Sequence, residues 1–515
     1  MTAAAIGPSA AELQDAIARY RAHLTPAELF DFDIAGLDRL GHAVVIAALA
    51  APDGFANDGF GYGASFDEAA VGALGEMSET FHVYRALQTA PACEGLSYNA
   101  MVERFGVDHV IDPLTLCLPA TSDYHADMPL RWVAVTRRSD GARAWTLREC
   151  IATSGGGYDT QSTDVVARTD AAPQRLFKPI TCGLGAGLSL EQALSHGVLE
   201  LLQRDGNCTR FRAMDQGIEL ELDTIADPGV AALLDELARH DIHVRAKVAT
   251  TEFGLNNLYV IGEPNGPAAA DDFPLMLTAC GEAVHANRER ALRKALLEYI
   301  AARVRKTFMH GPLAPIRALA PAAYETRIMD QAEPDDEEPR ALDGMVAWLD
   351  KDPEELRALL ADSVFARHET RAFSSLPSAE DMAVRDPADR MADLETRLGQ
   401  AGLSVYYFDA SPAGADAPCV VKSLVPGLEG ETLSYYRVGE RGVARLVREA
   451  SALAHIGAPR TGDVRVPLTA AAEARLGGPA YFNAEAADAV VGPLYPLYRE
   501  PGSHTVQIAR ARRAG

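Results

Sequence analysis

One layout occurs three times in this chain, and it limits the possible folds more than any other feature. Gly61, Gly63 and Ser65 precede an alanine-rich helical pattern, and Ser65 with Glu68 makes an S-x-x-E capping signature. Shifted by 124 residues, Gly185, Gly187 and Ser189 precede a second helical pattern, with Ser189 and Gln192 as the cap pair. A further 98 residues on, Asn287 takes the cap position of a third. In each copy a Glu lies eleven residues after the cap: Glu76, Glu200 and Glu298. Eleven residues make about three turns of α-helix, so each Glu stands at a similar angle to its cap. Glu79 lies three residues after Glu76 and shares its face.

Gly-rich helix entrances leave backbone N–H groups free, and such groups suit anions such as phosphates. Glutamates that converge from three helices repel one another unless divalent cations sit among them. Hard oxygen ligands together with phosphate are what Mg²⁺ prefers. The repeat therefore points to a Mg-nucleotide site built by several helices, without a Walker A sequence. Its competitor is a duplicated scaffold with surface glutamates and no chemistry.

Charge bears on this directly. The chain holds 48 Lys+Arg against 72 Asp+Glu, a net charge of −24. That balance argues against nucleic-acid or anionic-membrane binding by bulk charge, but not against a phosphate held through a metal ion. The seven cysteines are dispersed, with no CxxC pair, which disfavours a zinc site or disulfide framework and favours a reducing compartment. The first eight residues lack the marks of a signal peptide, and the apolar run at 43–52 is too short to span a bilayer. The expectation is a soluble cytoplasmic protein.

Hydrophobic patterning predicts a helix over 10–23 and strands over 43–51, 130–136, 144–151, 243–249, 257–262, 275–280, 403–409 and 419–424. Residues 331–339 read as an exposed acidic loop, residues 340–402 as mostly helical, and residues 509–515 as a fraying tail.

The three helix motifs resemble those of the YcaO family. The first stands here as Gly61-Tyr62-Gly63 and then Glu76-Met77-Ser78-Glu79-Thr80. The second is Thr181-Cys182-Gly183-Leu184-Gly185-Ala186-Gly187 and then Glu200-Leu201-Leu202-Gln203-Arg204-Asp205. The third runs from Ala291 through Glu298 to Arg303, and a later Val425-Pro426-Gly427-Leu428-Glu429 is also family-like. The resemblance implies an α/β (α+β) fold with an internal pseudo-repeat, its helices packed on mixed β-sheets around an ATP/Mg²⁺ site. It implies a catalytic domain over 33–430, a helical extension over 1–32 and a C-terminal extension over 431–515.

By position, Glu76, Glu79, Glu200 and Glu298 become metal or nucleotide ligands. Arg204 and Arg303 become phosphate contacts, with Glu200, Arg204 and Glu298 the catalytic set. Gly63, Ser65, Gly183 and Gly187 shape the entrances. Gln203 replaces a family Glu and can ligand through its carbonyl. The sequence departs from the family pattern at Tyr62, Gly72, Thr80, Cys182, Gln203 and Ala301.

The activity implied is ATP-dependent phosphorylation of a peptide amide oxygen with addition of a nucleophile to the carbonyl carbon. A Cys, Ser or Thr side chain then gives an azoline, sulfide a thioamide and an amine an amidine. Glu76-x-x-Glu79-x-x-His82 resembles the TfuA-partnered type, and a P-x-P-x-P ending is missing, so thioamidation stands ahead of azoline formation. The partners implied are a ribosomal precursor peptide and a TfuA-like or ThiF-like protein, with a homodimer left open. The alternative is a non-catalytic YcaO-like scaffold that binds peptide or partner. Away from the motifs, Cys182 reads as an inert buried thiol and His196 as packing. Arg437, Glu440 and Arg441 read as a surface hairpin.

Overall fold

The structure, a computed structural model, describes residues 9–153, 165–169, 171–265, 272–379, 386–430 and 436–514. The repeat in the sequence is a repeat of a strand followed by a helix. β1 (Ala56–Tyr62) leads into α1 (Phe66–Leu87), β2 (Leu184–Gly187) into α2 (Leu190–Asn207), and β3 (Cys280–His285) into α3 (Arg288–His310). The caps form as predicted. Ser65 Oγ accepts from Glu68 N at 3.2 Å, Ser189 Oγ from Gln192 N at 3.2 Å, and Asn287 Oδ1 from Arg290 N at 3.0 Å. Each cap satisfies one of the N–H groups that a helix start leaves unpaired.

Every helix lies on its own strand at backbone contact distance, and glycine permits it. A Cβ on Gly61 would stand 1.8 Å from Ala69 O, on Gly185 2.0 Å from Ala193 O, and on Gly281 1.9 Å from Ala295 O. No side chain fits in that space, so the strand carries Gly where the helix crosses. The helix faces opposite are small or aliphatic and fully buried: Ala69 and Ala73 on α1, Ala193 and Val198 on α2, Ala291 and Ala295 on α3.

Each repeat strand is the edge of a different sheet. β1 closes a three-stranded antiparallel sheet with Val44–Ala50 and Glu28–Asp33. β2 ends the largest sheet, antiparallel to Cys419–Leu424, with Tyr406–Asp409 and Leu130–Arg137 following inward. β3 ends a five-stranded sheet beside Asn256–Pro264 and Ile242–Thr250. Three sheet edges thus lie under the three motif helices.

Residues after 436 are built into the core. A helix α4 (Glu440–Arg448) precedes a small sheet in the order Ala454–Ile456, Ala480–Asn483, Asp463–Arg465. Val443, Phe482 and Val506 share one hydrophobic cluster with Met345, Trp348 and Leu356.

The structure corrects several local expectations. Residues 509–515 do not fray as far as they are described: the helix Thr505–Ala514 buries Val506 and Ala509. Residues 274–278 form a 3₁₀ turn begun by Pro274, which pre-sets φ and lacks the N–H a strand needs, so the strand starts at Cys280. The predicted strand over 144–151 ends at Leu147, and Arg148–Ile151 is a helical turn. The helical stretch 340–402 is interrupted by a strand, Glu369–Ala372, parallel to Ile218–Glu221. Within 331–339, Pro334–Asp336 is a 3₁₀ turn with Pro334 buried, and Glu333 Oε2 accepts from Arg512 at 3.0 Å. Among the described residues no helix is long and apolar enough to cross a membrane.

Candidate active site

The eleven-residue spacing brings each repeat glutamate to the edge of its own sheet, where it spends one oxygen. Glu76 Oε2 accepts from Phe60 N at 2.6 Å, Glu200 Oε2 from Gly183 N at 2.9 Å, and Glu298 Oε2 from Glu282 N at 3.2 Å. Glu79 reaches from α1 to the second sheet, its Oε1 accepting from Ala186 N at 2.9 Å. Backbone donors that an edge strand would leave open therefore end on carboxylates.

The carboxylates sense one another. Enclosure by protein pushes Glu76 up to about 7, with Asp58 and Glu200 adding to it and the Phe60 N–H and Arg305 working against it. Enclosure pushes Glu298 up to about 7, helped by Glu282 and opposed by Arg204. Glu79 is held well above the usual carboxylate range by enclosure and by the charges of Glu200 and Glu76. Glu76 keeps accessible surface although protein surrounds it, so it lines a cleft and is not a core residue. Like charges placed this close resist joint ionisation.

Glu282, which no sequence motif marked, is the hub of the site. Its Oε2 accepts from Asn207 Nδ2 at 2.6 Å, Gln203 Nε2 at 3.2 Å and Arg204 Nη1 at 3.3 Å. Arg204 also stands 3.5 Å from Glu200. The signal was available in the repeat register: the residue after the packing glycine is Tyr62, Ala186 or Glu282. All three meet the carboxylates, Tyr62 through its hydroxyl on Glu298.

Arg303 is corrected. It is fully buried, donating to Asp38 at 2.8 and 3.1 Å and to Asp272 at 3.1 Å. At about 100° per residue, position 303 lies well round the helix from Glu298, whereas position 305, seven residues on, returns to its face. Arg305 accordingly lines a cavity with Glu282, Arg212 and Lys306, and its Nε is buried without a hydrogen-bond partner among the described residues. Arg212 sits there too, at a positive φ of 62°, its Nη2 4.0 Å from Glu282 and its Nε likewise without a hydrogen-bond partner among the described residues. Backbone strain of this kind collects at functional sites.

The helix entrances are corrected in part. Ala64 N donates to Glu68 Oε2 at 2.8 Å and Leu188 N to Gln192 Oε1 at 3.0 Å, so capping side chains use N–H groups that were expected to be free. Gly63 and Gly187 serve close packing: a Cβ would stand 2.4 Å from Glu68 Cβ or 2.8 Å from Gln192 Cγ. Gly183 has φ 87°, suited to glycine, and presents its N–H to Glu200. Ser65 caps α1.

Other expectations change as well. His196 is not packing: its side chain is 58% exposed and 3.9 Å from Glu79. His82 is buried, and burial lowers its pKa to about 4, so it stays neutral. The surface hairpin is partly interior. Arg437 is 6% exposed, and Arg441 donates to Asp205 at 2.9 and 3.0 Å, while Glu440 remains outside on Arg475. Asp205, the last motif residue of α2, is thereby tied to α4, and Arg445 adds a buried bond to it at 2.5 Å.

This donor set fits Mg²⁺ and phosphate. The carboxylates are hard oxygen donors that repel one another, and two guanidinium nitrogens beside them have no acceptor among the described residues. Among the described residues no three His, Cys, Asp or Glu side chains close on one point well enough to hold an ion unaided. Mg²⁺ commonly takes one or two carboxylates and completes its shell with phosphate oxygens and water. Glu76, Glu79, Glu200 and Glu298 would hold the metal, and Arg204, Arg305 and Arg212 the phosphates.

Comparison with known proteins supports this description. A protein of unassigned function from Methanothermobacter thermautotrophicus is 25% identical over 429 residues, 79% of this chain and 91% of that protein. The structure of YcaO from Methanopyrus kandleri, bound with AMPPCP and Mg²⁺, matches with a TM-score of 0.51 at 19% identity, over 82% of this chain and 91% of that one. A heterocyclase in complex with substrate and cofactor matches at 0.54 and 14% identity, over 83% of this chain and 54% of that one, so the chain spans about half its length. At these identities the two structures share its fold. The family model described as YcaO cyclodehydratase, ATP- and Mg²⁺-binding, matches residues 60–429, which runs from the end of β1 through all three motif helices to the Val425–Glu429 segment. The chain belongs to the YcaO family, whose cofactors are ATP and Mg²⁺.

Proposed function

We propose that this protein activates a backbone amide of a ribosomally made precursor peptide, with sulfide as the favoured nucleophile and a thioamide as the favoured product. The observation that carries the reading is the set of enclosed glutamates from three sheet edges, flanked by the Nε groups of Arg212 and Arg305, which have no acceptor among the described residues. An amide oxygen is a poor leaving group and a phosphate ester a good one; Mg·ATP, when bound, supplies the phosphoryl group. Catalysis of this kind is mainly positioning and charge neutralisation.

The chain's residues divide that work. Glu200 and Glu298 would orient the metal, and Arg204, held by Glu282 and Glu200, would neutralise charge on the transferred group. The tail helps to close the cleft: Glu500 accepts from Lys306 at 2.6 Å, and Ser503 donates to Asp58 at 2.8 Å. The partner in this reading is a TfuA-like protein, and the compartment is the cytoplasm.

A non-catalytic scaffold draws on Tyr62, whose hydroxyl takes up Glu298. Titration with AMP-PNP and Mg²⁺ separates the two, because a scaffold with a degenerate site binds neither. For the reaction itself, the mass of the precursor peptide after incubation is decisive. Exchange of one oxygen for sulfur supports the thioamide, loss of one water gives the azoline instead, and full turnover by Glu200→Ala removes that residue from the site.

A further inference from the structure

The three strand–helix units meet at seams that follow one rule. Three residues after the repeat glutamate, the helices carry Glu79, Gln203 or Ala301, and after the packing glycine the strands carry Ala186, Glu282 or Tyr62. At the first seam Glu79 Oε1 accepts from Ala186 N at 2.9 Å. At the second Gln203 Nε2 donates to Glu282 Oε2 at 3.2 Å. At the third Ala301 and Tyr62 share a hydrophobic cluster, and the Tyr62 hydroxyl bonds Glu298. Each helix therefore faces the strand of another unit. The polar side chain comes from the helix at the first seam, from the strand at the third and from both at the second.

The second seam has a fixed direction. Glu282 Oε2 also accepts from Asn207 Nδ2 at 2.6 Å and Arg204 Nη1 at 3.3 Å, so it has no proton to give Gln203. Gln203 must turn its NH₂ toward Glu282 and its carbonyl away. That Oε1 accepts no hydrogen bond among the described residues and is not sealed from solvent. Gln203 lies three residues after Glu200 and shares its face of α2, so the open oxygen belongs to the cleft. Compared with the first seam, the helix position has lost a carboxylate and the strand position has gained one.

We infer that Glu282 is a positioning residue for the metal–nucleotide site, supplying from the strand the charge that Gln203 does not carry. It holds Gln203 Oε1 toward the cleft as a neutral oxygen ligand and keeps Arg204 beside it. The inference rests on the cleft binding nucleotide with Mg²⁺. Amide and carboxylate should then be exchangeable across the seam. In the exchanged pair the amide at position 282 gives its NH₂ to the carboxylate at position 203. Its oxygen, with two lone pairs, still accepts from Asn207 and Arg204. Neither single change keeps this order. Glu282→Gln leaves two amides free to turn either way, and Gln203→Glu sets two carboxylates face to face.

Calorimetric titration of the full chain with AMP-PNP and Mg²⁺ tests this, with the melting temperature of the metal-free protein as the control for folding. Glu282→Gln and Gln203→Glu should each weaken binding about tenfold or more, the scale of a charge-assisted hydrogen bond. The double variant Gln203→Glu/Glu282→Gln should return to within about threefold of the wild type, a coupling that contacting residues show and independent ones do not. Gln203→Met removes the carbonyl but leaves Glu282 its bonds from Asn207 and Arg204. It should weaken binding about fivefold with little change in melting temperature. An unchanged dissociation constant in Glu282→Gln or Gln203→Met overturns the inference, as does a double variant as weak as the two single losses combined. If Glu282→Gln does not fold, Gln203→Met and the double variant decide. A wild type that binds no nucleotide sinks the nucleotide reading and this inference together, whereas a binding wild type with insensitive variants sinks the inference alone.

Discussion

Arg303 and Arg305 lie two residues apart on α3 and have opposite surroundings. Arg303 is sealed in a core network with Asp38 and Asp272, so Arg303→Met should leave uncompensated buried carboxylates and cost about 3–5 kcal/mol. Urea denaturation measures this, and nucleotide affinity of the protein still folded should be unchanged. Arg305→Gln should do the reverse, with stability within about 0.5 kcal/mol of wild type and binding of AMP-PNP with Mg²⁺ weakened about tenfold or more, the loss of a charge-assisted contact. The repeat glutamates were legible in the sequence because cap and helix spacing are local. Glu282 and Arg305 were legible in principle, one from strand register and the other from a seven-residue helical return. The partner of Arg303 was not, because Asp38 lies 265 residues away along the chain.

Titration follows from the same carboxylates. Glu298 takes up its proton at about 7 in the folded chain and near 4.5 as a free side chain. Between those values the folded state holds more protons than the unfolded one, so this residue makes stability fall as pH rises, an effect complete above about 7. In metal-free protein, Glu298→Gln should flatten the decline of the melting temperature between pH 5 and pH 7.5, read by differential scanning calorimetry. An unchanged slope would mean that Glu298 is ionised throughout.

At the scale of elements, the packing glycines decide whether strand and helix can meet. Gly61→Ala places a methyl 1.8 Å from Ala69 O, and backbone on both sides leaves nothing to swing away. We expect a loss of about 1–3 kcal/mol, the usual cost of overpacking, with a lower urea midpoint as the readout. The sequence showed these glycines and their helix caps correctly but suggested anion cradles, because a Gly-rich turn before a helix serves either purpose. What settles the matter is the distance of closest approach between two elements, which no local pattern encodes. Sheet order is non-local in the same way. The strands that end up at edges look like any other strand until their pairing is known.

At the scale of the whole molecule, α4 connects the C-terminal residues to the motif helix α2. Asp205 receives Arg441 and Arg445, and Glu429 receives the first N–H groups of α4. Removal of residues from 439 onward takes Val443, Phe482 and Val506 out of a cluster shared with Trp348 and Leu356. Such a chain should fail to give a monodisperse folded species on size-exclusion chromatography with circular dichroism. From the sequence, this region looked like an extension because its motif content is low; its hydrophobic residues are shared with partners about a hundred residues upstream.

The carboxylates that close the three sheet edges have one more consequence. A carboxyl group accepts an N–H with its carbonyl oxygen whether or not it is ionised. The bonds from Phe60, Gly183 and Glu282 can therefore persist while the groups change charge. Loading the cleft with Mg²⁺ becomes an exchange of protons for metal across an unbroken seam. The heat of binding should accordingly shift with the ionisation enthalpy of the buffer, because the buffer collects what the seam gives up.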